Sequence, residues 1–306
     1  MSFSEAGLPA LLSREAGPAT PHHKLLINVF LVLQILGLIG SVALVLTTTL
    51  SSRSARNSTW QNFFTSWIIS TVSYSLLLFA GQVNQREPAF GVCLAQAGLI
   101  YGIPSLTAAT TFGLIGQIWF NVQALLAHKI KHERLMTAGL LILPYVILFL
   151  MVIASWVVGI RNPDLVVIIG SGMYCHIGPS GTLGKVSAAL VALTLLPTLA
   201  LEIMICISLR RNWTTFRRMK NSLSIIVRVM IFTLFGILAI GLSGIFVFSE
   251  SHGAALNIVF ATMPVVAVIV FATQKDIILV WMFWKKRPEP EGKMLSSRSS
   301  NSSAPV

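Results

Sequence analysis

A chain of 306 residues that is 55% hydrophobic and 10% charged cannot keep a compact globule in water, since soluble domains carry roughly a quarter charged residues. Its mean hydropathy of +0.79 agrees, and the apolar residues come in blocks long enough to cross a bilayer. The formal charge of +12 does not indicate a nucleic-acid surface, because the basic residues lie in short gaps between apolar blocks, where they read as loops of a membrane protein.

Residues 1–24 are polar and mixed, and read as an extracellular tail. Seven apolar blocks follow, at 25–50, 61–80, 92–126, 135–159, 185–208, 223–249 and 254–274. About 20 residues of helix cover the hydrocarbon core, and helix leaves no backbone group unpaired in lipid. The first block is too long for a signal-peptide core and reads as a signal anchor. The third is long enough for its ends to project or tilt. Pro104, Pro144, Pro197 and Pro264 fall inside the third, fourth, fifth and seventh blocks and predict kinks or local backbone openings. Gly236, Gly241 and Gly244 in the sixth permit close packing or bending. The expected fold class is an all-α membrane protein, a seven-transmembrane helix bundle over 25–274.

Lysine and arginine set the direction. With the N-terminus outside, only Arg14, Lys24, Arg86, Arg161 and Lys185 fall on the outer side, and all the others of the 22 fall on the inner side. The positive-inside rule then predicts an outside N-terminus and a cytoplasmic C-terminus. In this arrangement the sequons at Asn57, Asn212 and Asn301 face the cytoplasm and stay unglycosylated.

The longest outer loop, 160–184, holds two β-rich runs around Gly170-Ser171-Gly172 and predicts a hairpin with Cys175 in its second strand. Cys93 heads the third block, also on the oxidising side. A Cys93–Cys175 bridge would close a loop of about 80 residues, worth on the order of 4–5 kcal/mol in the chain-entropy model. The other reading is two free, buried cysteines. Cys206 near the inner end of the fifth block reads as core, with palmitoylation a second reading. Without a CxxC or Cys/His cluster, no metal site is expected.

Glu202 is the one acid inside a block, and Arg228 lies at similar depth on the next helix. An unpaired charge there costs several kcal/mol, so the two are expected to pair or share water. Such a pair could be a latch near the inner face, or a static contact with Arg228 snorkelling to the interface. Residues 275–287, with Trp281, Phe283 and Trp284 before Lys285-Lys286-Arg287, read as an amphipathic helix on the membrane surface. Residues 288–306 are polar and serine-rich and read as a disordered cytoplasmic tail.

Chemistry is sparse. The seventh block holds no mid-membrane lysine, and no chain of Asp, Glu or His crosses the blocks. The histidines, His22, His23, His128, His132, His176 and His252, all lie in loops or tails. No serine triad or phosphate loop is present, so neither an enzyme nor a cofactor is expected.

Seven blocks, an outside N-terminus, Cys93 heading the third block and Cys175 in the second outer loop resemble the G-protein-coupled receptor superfamily. Pro197, Pro264 and the short terminal helix fit the same pattern, and the run from Phe271 to Trp284 is similar to that of divergent fungal, especially basidiomycete, receptor-like proteins. The first-helix Gly-Asn pattern of that superfamily reads Gly40-Ser41 here. Its Asp-Arg-Tyr position reads Gln117-Ile118-Trp119, and its Asn-Pro-x-x-Tyr reads Met263-Pro264-Val-Val-Ala267. The second block has no aspartate and the sixth no Trp-x-Pro.

The resemblance implies a plasma-membrane receptor that signals at its inner face, with a heterotrimeric G protein as candidate partner. The expected ligand lies in the outward half of the bundle, lined by Tyr74, Tyr101, Ser105, Thr194, Ser243, Phe246 and Asn257. No ionised group faces this region, so a neutral or apolar small molecule or hydrophobic peptide is expected. The alternative is a seven-helix transporter or lipid-handling protein, which would need a polar path reaching both faces.

Overall fold

A computed structural model describes residues 21–51, 57–83, 85, 87–126, 133–169, 171–178, 181–212, 226–237 and 253–282. The helices are α1 (Pro21–Leu50), α2 (Ser58–Tyr74), α3 (Leu76–Phe79), α4 (Phe90–Leu125), α5 (Glu133–Arg161), α6 (Gly181–Arg211), α7 (Ile226–Ile237), α8 (Gly253–Ala272) and α9 (Lys275–Trp281). Between α5 and α6 lies an antiparallel hairpin of β1 (Val166–Ile168) and β2 (Cys175–Ile177), with Ile168 opposite Cys175 and Val166 opposite Ile177. Apart from this hairpin the described fold is helical.

Among the described residues four helices are long and apolar enough to cross a bilayer, over Lys24–Leu50, Phe90–Leu125, Arg134–Arg161 and Thr182–Arg211. Their polarity is inside out. Leu36, Ile39, Phe149, Ile153, Leu193 and Ile203 face outward, Leu193 at 70% exposure, while Gln34, Ser41, Ser70, Thr71, Gln96 and Thr110 are buried. Water would reject such an exterior, and hydrocarbon accepts it. An apolar-coated helical bundle that buries polar side chains is the pattern of a membrane protein.

α4 is the central element. It packs on α2, α5 and α6 and carries both hairpin strands at its N-terminal end. Gly98 and Gly102 let α5 approach: a Cβ at Gly98 would lie 2.5 Å from the Trp156 indole nitrogen, and one at Gly102 2.7 Å from Leu148. On the other side of the bundle, Gly37 and Gly40 of α1 receive Pro264 and Val268 of α8 in the same way. Of the sixth-block glycines expected to permit close packing or bending, Gly236 makes no close approach, since a Cβ there meets nothing within 4 Å, and Gly241 and Gly244 lie outside the described residues. All four prolines, Pro104, Pro144, Pro197 and Pro264, do lie within helices.

α2 is short and rich in hydroxyls, and it is buried on two sides by α1 and α4. Its hydroxyls bond back to its own carbonyls, as Thr71 does to Trp67 at 2.9 Å and Ser73 to Ile69 at 2.7 Å. Ser66 also meets Thr110 of α4 at 2.8 Å. Bonded in this way, the polar groups can sit in a dry interior. The continuous block expected over 61–80 starts earlier, at Ser58, and is interrupted at Ser75. α3 then ends at Gly81, whose φ of +68° closes a helix-terminating turn with bonds from Gly81 N to Leu78 O and from Gln82 N to Leu77 O.

The C-terminal part turns sharply. After α8, Gln274 takes extended angles (φ −68°, ψ 135°) and α9 starts on a new axis. The Trp281 indole N–H donates to the Thr47 hydroxyl at 2.9 Å, which ties α9 to the end of α1. In that half of the bundle, Trp60, Phe63, Phe64, Trp67, Phe232 and Phe271 form one aromatic cluster with mostly edge-on contacts, joining α2, α7 and α8.

Candidate functional site

The hairpin is the structural centre of the candidate site. Its base is fixed by three contacts on one stripe of α4. Cys93 is disulfide-bonded to Cys175, with a Cα–Cα distance of 5.2 Å. One turn on, the Gln96 carbonyl oxygen accepts the Cys175 N–H at 2.9 Å. The Tyr101 hydroxyl donates to the Ile177 carbonyl at 2.9 Å. The Gln96 amide also donates to the Ser73 and Tyr74 carbonyls, at 3.0 and 3.2 Å, where the Ser75 break leaves them facing α4. One fully buried side chain thus joins the α2 break, α4 and the second strand.

The tip of the hairpin points into the bundle. Gly172, with φ +72°, makes the tight reversal, and the Ile169 N–H returns to the Tyr174 carbonyl at 2.9 Å. Met173 is buried against Phe30 of α1 and Ala261 of α8. The Tyr174 ring stands edge-on to Tyr74 (centroids 5.5 Å apart) and tilted against Phe30 (6.3 Å). Its hydroxyl donates to the Asn257 side-chain carbonyl at 2.9 Å, while the Asn257 amide donates to the Ser171 hydroxyl at 3.1 Å. Burial holds the Tyr174 phenol well above its ordinary pKa, the Tyr74 and Tyr101 hydroxyls push the same way, and the bond to Asn257 opposes them. The phenol is therefore protonated and a donor.

Of the residues expected to line a ligand cavity, Tyr74, Tyr101 and Asn257 come together, and all three are engaged by the hairpin itself. Ser105 and Thr194 bond carbonyls of their own helices, Gly102 for the first and Leu190 and Val191 for the second. Ser243 and Phe246 lie outside the described residues. Gln96, Ser171 and Tyr174 were missed by sequence reasoning. Gln96 one turn after Cys93 and Tyr174 directly before Cys175 were the available signals.

Near the other end, the Arg228 guanidinium of α7 donates to the Val270 carbonyl and the Thr273 hydroxyl, and at 2.9 Å to the Thr273 carbonyl. These groups close the C-terminal end of α8, where helix carbonyls concentrate negative potential. The Glu202 carboxyl of α6 faces Thr233 of α7. Neither contact is between Glu202 and Arg228; both tie α7 to a neighbouring helix. Cys206 stands 3.7 Å from the Met230 sulfur. Among the described residues no cluster of three or more His, Cys, Asp or Glu could hold a metal ion.

No protein-family model matches the chain, and no curated protein sequence matches it.

Proposed function

We propose that the chain is a seven-helix plasma-membrane receptor, with its N-terminus outside and its C-terminus in the cytoplasm, that senses a neutral ligand and signals at its inner face. One observation carries this reading: a disulfide-anchored hairpin enters the bundle end where Phe30, Tyr74, Asn257 and Ala261 meet. None of these groups is charged, which favours an uncharged ligand. The asymmetric placement of lysine and arginine supports the orientation. α9, lying against the end of α1, fits a helix on the inner membrane surface. Arg228 bridges α7 and α8 close to that surface, as a contact that helix movement would remake.

The test uses the protein in lipid nanodiscs with purified heterotrimeric G protein, and a parallel liposome flux assay. A receptor recruits the G protein in a ligand-dependent way and passes no solute. Flux without recruitment would replace this reading with a transporter.

A further inference from the structure

The hairpin is fixed unevenly. Its base carries a disulfide, the Gln96 bond and the Tyr101 bond. Its tip, Ser171–Tyr174, is held to the helices by the two Asn257 bonds and by ring and apolar contacts. The tip inserts a ring and a hydroxyl among Phe30, Tyr74 and aliphatic side chains, and the hydroxyl is held by a side-chain amide. Tyr174 keeps part of its surface exposed, although its phenol end is largely buried.

We propose that this position is a ligand site with Tyr174 as its built-in occupant, and that it takes a neutral hydroxyaryl molecule. The ring lies against Phe30 and Tyr74, which are themselves edge-on at 6.0 Å, and the hydroxyl donates to the Asn257 carbonyl. A carboxylate offers no donor to that carbonyl, and an ammonium finds no counter-charge among the described residues that touch the tip. A ligand entering from outside takes the place of Tyr174 while the disulfide at the next residue holds the hairpin base in position. The role of such a molecule as the signalling ligand rests on the receptor reading; its binding does not.

The probe is 4-methylphenol, which reproduces the tyrosine side chain. Tyr174→Ala is reconstituted in nanodiscs with the disulfide intact, and its unfolding midpoint is measured against probe concentration. The midpoint should rise saturably with 4-methylphenol. Toluene, lacking the hydroxyl, should need ~tenfold more for the same rise, the ratio expected for one hydrogen bond of about 1.4 kcal/mol. Adding Asn257→Leu should abolish the preference. Equal rescue by toluene, or a preference that survives Asn257→Leu, overturns the proposal, as does no rescue. If Tyr174→Ala cannot be isolated, the wild-type protein is photolabelled with 4-azidophenol. Adducts on Phe30, Tyr74 or 257–261 support the site, and adducts confined elsewhere overturn it. Rescue without G-protein recruitment keeps the site and removes the receptor reading; recruitment without rescue does the reverse.

Discussion

At Gln96 a single amide serves three backbone groups, the carbonyls of Ser73 and Tyr74 and the N–H of Cys175. The side chain is fully buried, so removing it takes this partner from the Tyr74 carbonyl and the Cys175 N–H. Gln96→Leu should cost about 3 kcal/mol, since each stranded group costs roughly 1–3 kcal/mol. Gln96→Glu retains an acceptor for Cys175 and, as the neutral acid, one donor, so its loss should be intermediate when protonated and larger when ionised, because the buried charge would face two carbonyl oxygens. Thermal unfolding in detergent measures both, and a neutral Gln96→Leu would remove Gln96 as the junction. His176 supplies a pH dependence. Burial lowers its pKa from 6.5, while a backbone hydrogen bond with Val167 pulls upward less strongly. Nδ1 is buried without a partner among the described residues. The folded pKa is depressed, so this contribution to stability is complete above the ordinary value. It falls away as the pH drops below that value and through the lowered one. The unfolding midpoint should therefore decline from neutral to mildly acidic pH, and His176→Gln should flatten that component.

Among elements, the α4–α5 contact depends on missing side chains. At Gly102 a Cβ would press on Leu148 at 2.7 Å and on the Leu148 carbonyl at 3.3 Å, so Gly102→Leu must part the helices. A cost of about 1–3 kcal/mol is expected from overpacking. Gly139, on the exposed face of α5, meets nothing within 4 Å, and Gly139→Leu should leave the unfolding midpoint nearly unchanged. Equal effects of the two substitutions would mean that the measured cost comes from helix propensity or lipid contact, not from packing. The hairpin was legible beforehand, because two β-rich runs flank Gly170-Ser171-Gly172. Its descent into the bundle was not, since no local pattern says which helices a loop tip will touch. The break at Ser75 was hidden for a related reason: the carbonyls it turns outward are met by Gln96, 21 positions further along the chain.

For the whole molecule, sidedness is the property that everything functional depends on. In a Cys206→Ser background, Asp164→Cys and Arg211→Cys place thiols at opposite ends of the bundle, both at exposed positions. A membrane-impermeant maleimide added to intact cells should label Asp164→Cys at once and Arg211→Cys only after permeabilisation. Labelling of both from outside would refute the seven-span orientation. The sequence alone determined the solvent of the fold. Apolar blocks are sums over many residues, and they survive local irregularities in helix length or break position. The tertiary structure decided what occupies the hairpin end of the bundle. Tyr74, Tyr101 and Asn257 are far apart in the chain, and only the packing of α2, α4 and α8 brings them to one hairpin. A polar side chain in a dry interior must find a partner, and the identity of that partner follows from the distance and direction set by helix packing, which no single segment encodes.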